Sequence, residues 1–262
     1  MLKHLSRIVS AVLLAGVVSI VPAMAADLQQ IISSGTVRIG VPVDVAPFGS
    51  NDANNQPVGL DVDMAKAVAK ALGVKLELQQ ITGANRVPYL VTDKLDIVIA
   101  AMGATPERAL QISFTSPYAA LSVGVFGPDS IAVTKPGELT DQTIAVARGT
   151  TQDLLLTAAA PNAKIQRYDD DATAAAAFTS GQAQLLATAD IVAKDMMSKD
   201  PKLQLKPKFI LQFSPCYMGV QQGAPELLHW LNTYVHLGML DGSLSALSEK
   251  WIGTKLPALP PI

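Results

Sequence analysis

Short apolar runs alternate along the chain with stretches in which apolar residues recur every three or four positions. Residues 36–41 alternate apolar and polar and predict a first strand. After a turn-rich segment at 47–57, residues 59–73 place apolar side chains at helical spacing and end on Gly73, a natural helix stop. A second strand is expected over 74–81, a short helix over 85–91, and a buried strand from Asp96 through Ile97, Val98 and Ile99. The alternation returns later, with strands over 143–147, 164–168 and 184–188. Helices are expected from the 148–153 turn to about 159, over 170–179 and over 190–199. Two late strands (209–213 and 217–220) precede closing helices near 225–237 and 243–251. Strands alternating with helices predict an α/β protein with a mostly parallel sheet.

One junction breaks a local rule. Thr105 offers an N-cap hydroxyl and Pro106 suits the first helical position, so a helix starts there. Glu107 suits the positive end of the helix dipole; Arg108 does not. Free backbone amides, a hydroxyl and a guanidinium fork together suit a carboxylate. The plain alternative is a surface arginine paired with a nearby acid. The 148–153 turn repeats the pattern of strand, polar turn and helix start. Ligands of open α/β sheets sit beyond the carboxyl ends of the strands. Two such edges facing each other would form a cleft with anion-seeking groups on both walls.

The first 25 residues read differently. Lys3 and Arg7 precede an apolar run at 8–21, and Ala23-Met24-Ala25 has the small-x-small form of a cleavage site. The run is short of the roughly 20 residues that span a bilayer, so residues 1–25 are expected to be a cleaved export signal and not an anchor. What remains suits one large or two modest domains. With 20 basic against 22 acidic residues, the chain lacks the basic surplus of a nucleic-acid binder. Cys216 is the only cysteine, so no intrachain disulfide forms and the core must hold the fold. His229 and His236 lie seven residues apart on one expected helix, about 10 Å along its axis, too far to chelate one metal. No pair of acids is spaced as an acid–base couple. No metal, cofactor or catalytic residue is therefore expected.

Several segments taken in order carry a resemblance. These are Gly59-Leu60-Asp61-Val62-Asp63, Arg86-Val87-Pro88-Tyr89-Leu90, the stretch from Ile99 to Arg108, Phe114-Thr115-Ser116-Pro117-Tyr118, Gly149-Thr150-Thr151, and Leu247-Ser248-Glu249-Lys250-Trp251. Together they resemble the polar amino-acid family (family 3) of periplasmic solute-binding proteins, the receptors of ABC importers. The resemblance implies a two-lobed type II periplasmic-binding-protein fold. Residues 26–120 and 217–262 would form lobe 1 and residues 121–216 lobe 2, with hinge crossings near 119–123 and 213–217. It implies that Arg108 grips the ligand α-carboxylate, that Ala101 and Gly103 line the pocket, and that Thr151, beside Gly149, completes the carboxylate cage from lobe 2.

The chain also departs from the family pattern. Pro42 and Val45 stand where an acid and an aromatic are usual, Gly83 at or beside a second aromatic position, and Gly103 where Ser or Thr is usual. The aspartate that pairs the ligand ammonium aligns with Ala189; Asp190, one residue on, and Asp44 are the candidates to replace it. Arg148 pointing inward with Arg86 or Asn85 would favour an acidic or amide ligand side chain; pointing outward it is a solvated charge. The implied protein is a monomeric periplasmic receptor that hands an amino acid or close analogue to an inner-membrane ABC permease. Two alternatives are a ligand-loaded partner of a membrane sensor and a dehydratase-like enzyme on the same fold.

Overall fold

A computed structural model describes residues 28–260, so the expected export signal at 1–25 lies outside the described residues. The chain runs α1 (Leu28–Ser34), β1 (Thr36–Pro42), β2 (Ser50–Asn51), β3 (Pro57–Val58), α2 (Leu60–Leu72), β4 (Lys75–Ile81), α3 (Arg86–Val91), β5 (Ile97–Met102), α4 (Pro106–Ala109) and β6 (Ile112–Gly127). It continues β7 (Thr143–Ala147), α5 (Thr151–Ala159), β8 (Lys164–Tyr168), α6 (Asp171–Thr179), β9 (Leu185–Ala189), α7 (Asp190–Lys199), β10 (Lys206–Gln221), α8 (Pro225–Leu240) and α9 (Ser243–Ile252). Gly73 closes α2 at φ 70°, the left-handed stop expected of a helix-ending glycine.

Most of the expected elements fold as read, and β1 and the strands from β4 onward join one eight-stranded sheet in the order β4-β1-β5-β10-β6-β9-β7-β8. β1 pairs in parallel with β4 and β5, and β7 in parallel with β8 and β9, so each end of the sheet is a wound α/β unit. The centre is different. β6 and β10 are 16 residues each and run antiparallel along their whole length. β10 meets β5 through Tyr217–Val220, whereas β6 meets β9 through Val123–Phe126. These two strands therefore carry the chain between the halves, and Ala119↔Cys216, Ala120↔Pro215 and Leu121↔Ser214 pair at the crossing. The two late strands expected from sequence are one strand, whose register against β6 slips between Cys216 and Tyr217, just past the crossing.

Each half packs apolar residues on both faces of its sheet. In the first half Val37, Ile39 and Ile99 face one cluster, and Ile81, Val98 and Met102 the other. In the second, Val125, Ile144 and Leu185 face one side, and Phe126, Ala145 and Leu186 the other. The halves meet along a seam at the carboxyl ends of β1, β5 and β7, where the sequence places its candidate residues.

Candidate functional site

The first wall is set by a backbone kink at the end of β5. Ala101 has φ 45°, in the left-handed region that side chains with a Cβ seldom adopt. Its N–H donates to Asp61 Oδ2 at 2.7 Å, and Tyr118 Oη donates to Asp61 Oδ1 at 2.7 Å. Asp61 is fully buried in the first turn of α2. Burial pushes its carboxyl up to about 7, against the opposing pull of those two hydrogen bonds. Immediately after the kink come Gly103 and the start of α4. Thr105 caps that helix as expected, its Oγ1 accepting from Arg108 N at 3.3 Å.

Arg108 is 4% exposed and spans the seam. Its Nη1 donates to Gly103 O at 2.5 Å and to Thr151 Oγ1 at 3.2 Å, and its Nη2 donates to Gly149 O at 2.8 Å. Thr151 opens α5, and Thr150 caps that helix by accepting from Asp153 N at 3.3 Å. None of the partners of Arg108 is an acid. Burial first, then the nearby Arg86, pulls its guanidinium down to about 10. Arg38 shows the contrast: its Nη2 forks Asp96 at 2.6 Å and Asp93 at 2.8 Å, and those acids hold its charge firmly. The reading of Arg108 as a surface arginine paired with an acid is therefore excluded. The cleft expected between two anion-seeking walls is shut at Arg108: neutral carbonyls and a hydroxyl from both halves occupy its donors.

Small residues let the walls meet. A Cβ on Gly103 would lie 2.6 Å from Ser214 Oγ and 2.9 Å from Thr151 Oγ1. One on Gly83 would lie 2.9 Å from both Arg148 O and Thr150 Cγ2. Glycines at positions where the family pattern is larger thus permit an approach that side chains would block. Gly103→Val should hold the halves apart. Small-angle scattering should then give a larger radius of gyration than wild type; an unchanged radius would show that Gly103 does not set the approach.

Between the walls is a cavity of ≈ 20 Å³, room for about one water. Val45, Arg86 and Ala101 line it from one half, and Thr151, Gln152, Asp171 and Ala189 from the other. Arg86 is 4% exposed and its Nε has no hydrogen-bond partner. Asp171 is 8% exposed, and burial pushes its carboxyl up to about 7, with Asp44 adding to the effect.

The structure thus gathers Arg108, Gly103, Gly149, Thr151, Ala101 and Arg86 at the seam. Asp44 reaches across it, its Oδ2 accepting from Ala172 N of α6 at 2.6 Å. Asp190 lies elsewhere. Its Oδ1 accepts from Ser122 N at 3.1 Å and its Oδ2 is 3.6 Å from Lys194 Nζ, beside a separate groove behind the crossing strands. The inward-pointing alternative for Arg148 is corrected, because that side chain is exposed. Asn85 turns to Thr82, donating from Nδ2 to Oγ1 at 3.4 Å. Asp171 and Gln152 were not singled out from sequence. Asp171 follows two other acids at a helix start, where an aspartate reads as a cap; Asp170 takes that role, its Oδ1 accepting from Thr173 N at 2.7 Å.

Residues 37–254 match the family model described as bacterial extracellular solute-binding proteins, family 3. A solved solute receptor for L-cysteine of Neisseria gonorrhoeae is 33% identical, with a TM-score of 0.82 over 87% of this chain and 94% of that one. A putative ABC transporter arginine-binding protein 2 of Escherichia coli (strain K12) is 29% identical over 225 residues, 82% of this chain and 90% of its own length. A cyclohexadienyl dehydratase of Pseudomonas aeruginosa is 25% identical over 238 residues, 88% of this chain and 87% of its own length. The chain belongs to the bacterial extracellular solute-binding proteins, family 3, and has the two-lobed type II fold of amino-acid-binding members of that family.

Proposed function

We propose that this protein is an exported receptor that captures an α-amino acid between its lobes and presents it to an inner-membrane ABC permease. One observation carries the reading: Arg108 is a buried cation at the interlobe seam whose hydrogen bonds all go to neutral groups and none to an acid. A carboxylate replacing the Gly103 and Gly149 carbonyls would convert neutral hydrogen bonds into a charge-assisted bidentate pair, with the Thr151 hydroxyl added from the second lobe. The cavity is smaller than any amino acid, so the lobes must part at 119–123 and 213–217 to admit one. A ligand touching both walls favours the closed arrangement by its differential affinity. Closure strips water from the ion pair and strengthens it.

Of the residues expected to read an acidic or amide ligand side chain, only Arg86 lines the cavity, so that preference rests on Arg86 alone. The dehydratase among the relatives gives the enzyme reading a precedent at 25% identity. Receptor and enzyme differ in outcome: binding without turnover is expected here. A thermal-shift screen over the common amino acids, simple amines and dicarboxylates tests the proposal, because a ligand of the folded state raises its apparent stability by mass action. At least one α-amino acid should raise the melting temperature, and matching monoamines and monoacids should not. No shift with any amino acid would refute it.

A further inference from the structure

The cavity carries a charge pattern that the carboxylate grip leaves unexplained. Asp171 is the only carboxylate on its walls among the described residues, nine-tenths buried, and Arg86 acts on it through space without a hydrogen bond. Across the same cavity the Arg86 Nε, also buried, has no partner. Asp171 is a mostly buried carboxylate that accepts no hydrogen bond, and the fully buried Arg86 nitrogen without an acceptor is costly unless a ligand completes it. The bond from Ala172 N brings Asp44 of the first lobe alongside Asp171 of the second, so two carboxylates from opposite lobes meet beside the cavity that Arg86 lines.

We infer that Asp171, with Asp44 beside it, takes up the ligand's cationic amine, in the role for which the family resemblance offered Asp190 or Asp44. The inference rests on the reading of the site as an amino-acid receptor. An ammonium carries three donors, and Asp171 is the carboxylate that the cavity wall offers them. The ligand's two charges are then held from opposite sides, its carboxylate by Arg108 and Thr151 and its amine by Asp171. Asp190 is 3.1 Å from a backbone N–H of the crossing strand and lines a different groove, so it is not placed to help. The charged groups that face Asp171 are Asp44 from the loop after β1, Asp170 from its own helix and Arg86 from α3. With its carboxyl pushed up to about 7, Asp171 is partly protonated near neutrality and accepts an ammonium best when ionised. Affinity for the amine should therefore rise with pH through that value.

The test is calorimetric titration of wild type and Asp171→Asn. The ligands are each common amino acid that gives a thermal shift and its deamino analogue, from pH 5 to 8. Asp171→Asn should weaken the amino acid by at least tenfold and the deamino analogue little. Wild-type affinity for the amino acid should rise over the pH range and that of the variant should stay flat. Equal losses for both ligands, or none for either, would overturn the assignment while leaving the receptor reading intact. So would a loss of amine binding on Asp190→Asn but not on Asp171→Asn. Wild type that binds no amino acid would overturn both. The wild-type pH profile needs no variant to fold, and a flat profile also counts against Asp171.

Discussion

Arg108→Ala should weaken amino-acid binding by about 2–5 kcal/mol, the range for truncating one partner of a buried, hydrogen-bonded charge pair. The size follows from the setting. The guanidinium is 4% exposed and donates to both lobes, so a ligand carboxylate bound there is desolvated and held bidentately. Arg108→Lys should fall between the two, because it keeps the charge and loses the fork. Neither change should lower the melting temperature of the ligand-free protein by much. The lost partners are two carbonyls and one hydroxyl, and a buried cation without an anion contributes little to folding. Calorimetry on both variants, with thermal melts of the same samples, checks this. An unchanged affinity in Arg108→Ala would show that the carboxylate binds elsewhere.

Asp61→Ala should be the largest single loss of stability near the site, about 2–5 kcal/mol. It leaves Tyr118 Oη without its 2.7 Å acceptor and Ala101 N–H with only a longer 3.3 Å bond to Tyr118 Oη, and an orphaned buried donor costs about 1–3 kcal/mol. It also releases Ala101 from a left-handed conformation that the carboxylate pins. Tyr118→Phe leaves the Ala101–Asp61 bond in place and should cost about 1 kcal/mol. A pH dependence goes with it. The Asp61 carboxyl is raised by burial from 3.8 to about 7, so the folded state binds its proton more tightly than the unfolded chain does. That contribution is present in full below about 4 and is lost as pH rises through about 7. Denaturant unfolding between pH 4 and 8 should thus show wild type losing more stability than Asp61→Asn. A parallel pair of curves would mean that Asp61 does not titrate in the folded protein.

Much of this was legible from the order of residues, and what was not has identifiable physical causes. The wound α/β units at the two ends of the sheet announce themselves because buried parallel strands are uniformly apolar and their helices carry an apolar stripe, as in Ile97–Met102 and Leu60–Leu72. The long strands did not show at full length: β10 reads as two short strands and β6 as none. Each passes from one core to another, and Gly, Ser and Pro at the crossing interrupt the alternation that marks a strand. Arg108 stood out because a cation in the first turn of a helix contradicts the local dipole. Asp61 sat in a recognisable motif, yet nothing in its spacing shows that it reaches Ala101, 40 positions on. Asp171 was hidden by its neighbours, since any one of three consecutive aspartates could have capped α6. Its distinction from Asp170 is one of direction, which only the folded helix start reveals.

The central claim is that Arg108 closes on a ligand carboxylate. The most direct measurement is a calorimetric cycle that pairs wild type and Arg108→Ala with the best-binding amino acid and its α-carboxamide. Wild type should prefer the acid to the amide strongly, and Arg108→Ala should bind the two almost equally, placing the coupling between that guanidinium and that carboxylate. Wild type that binds the amide as tightly as the acid would contradict the account.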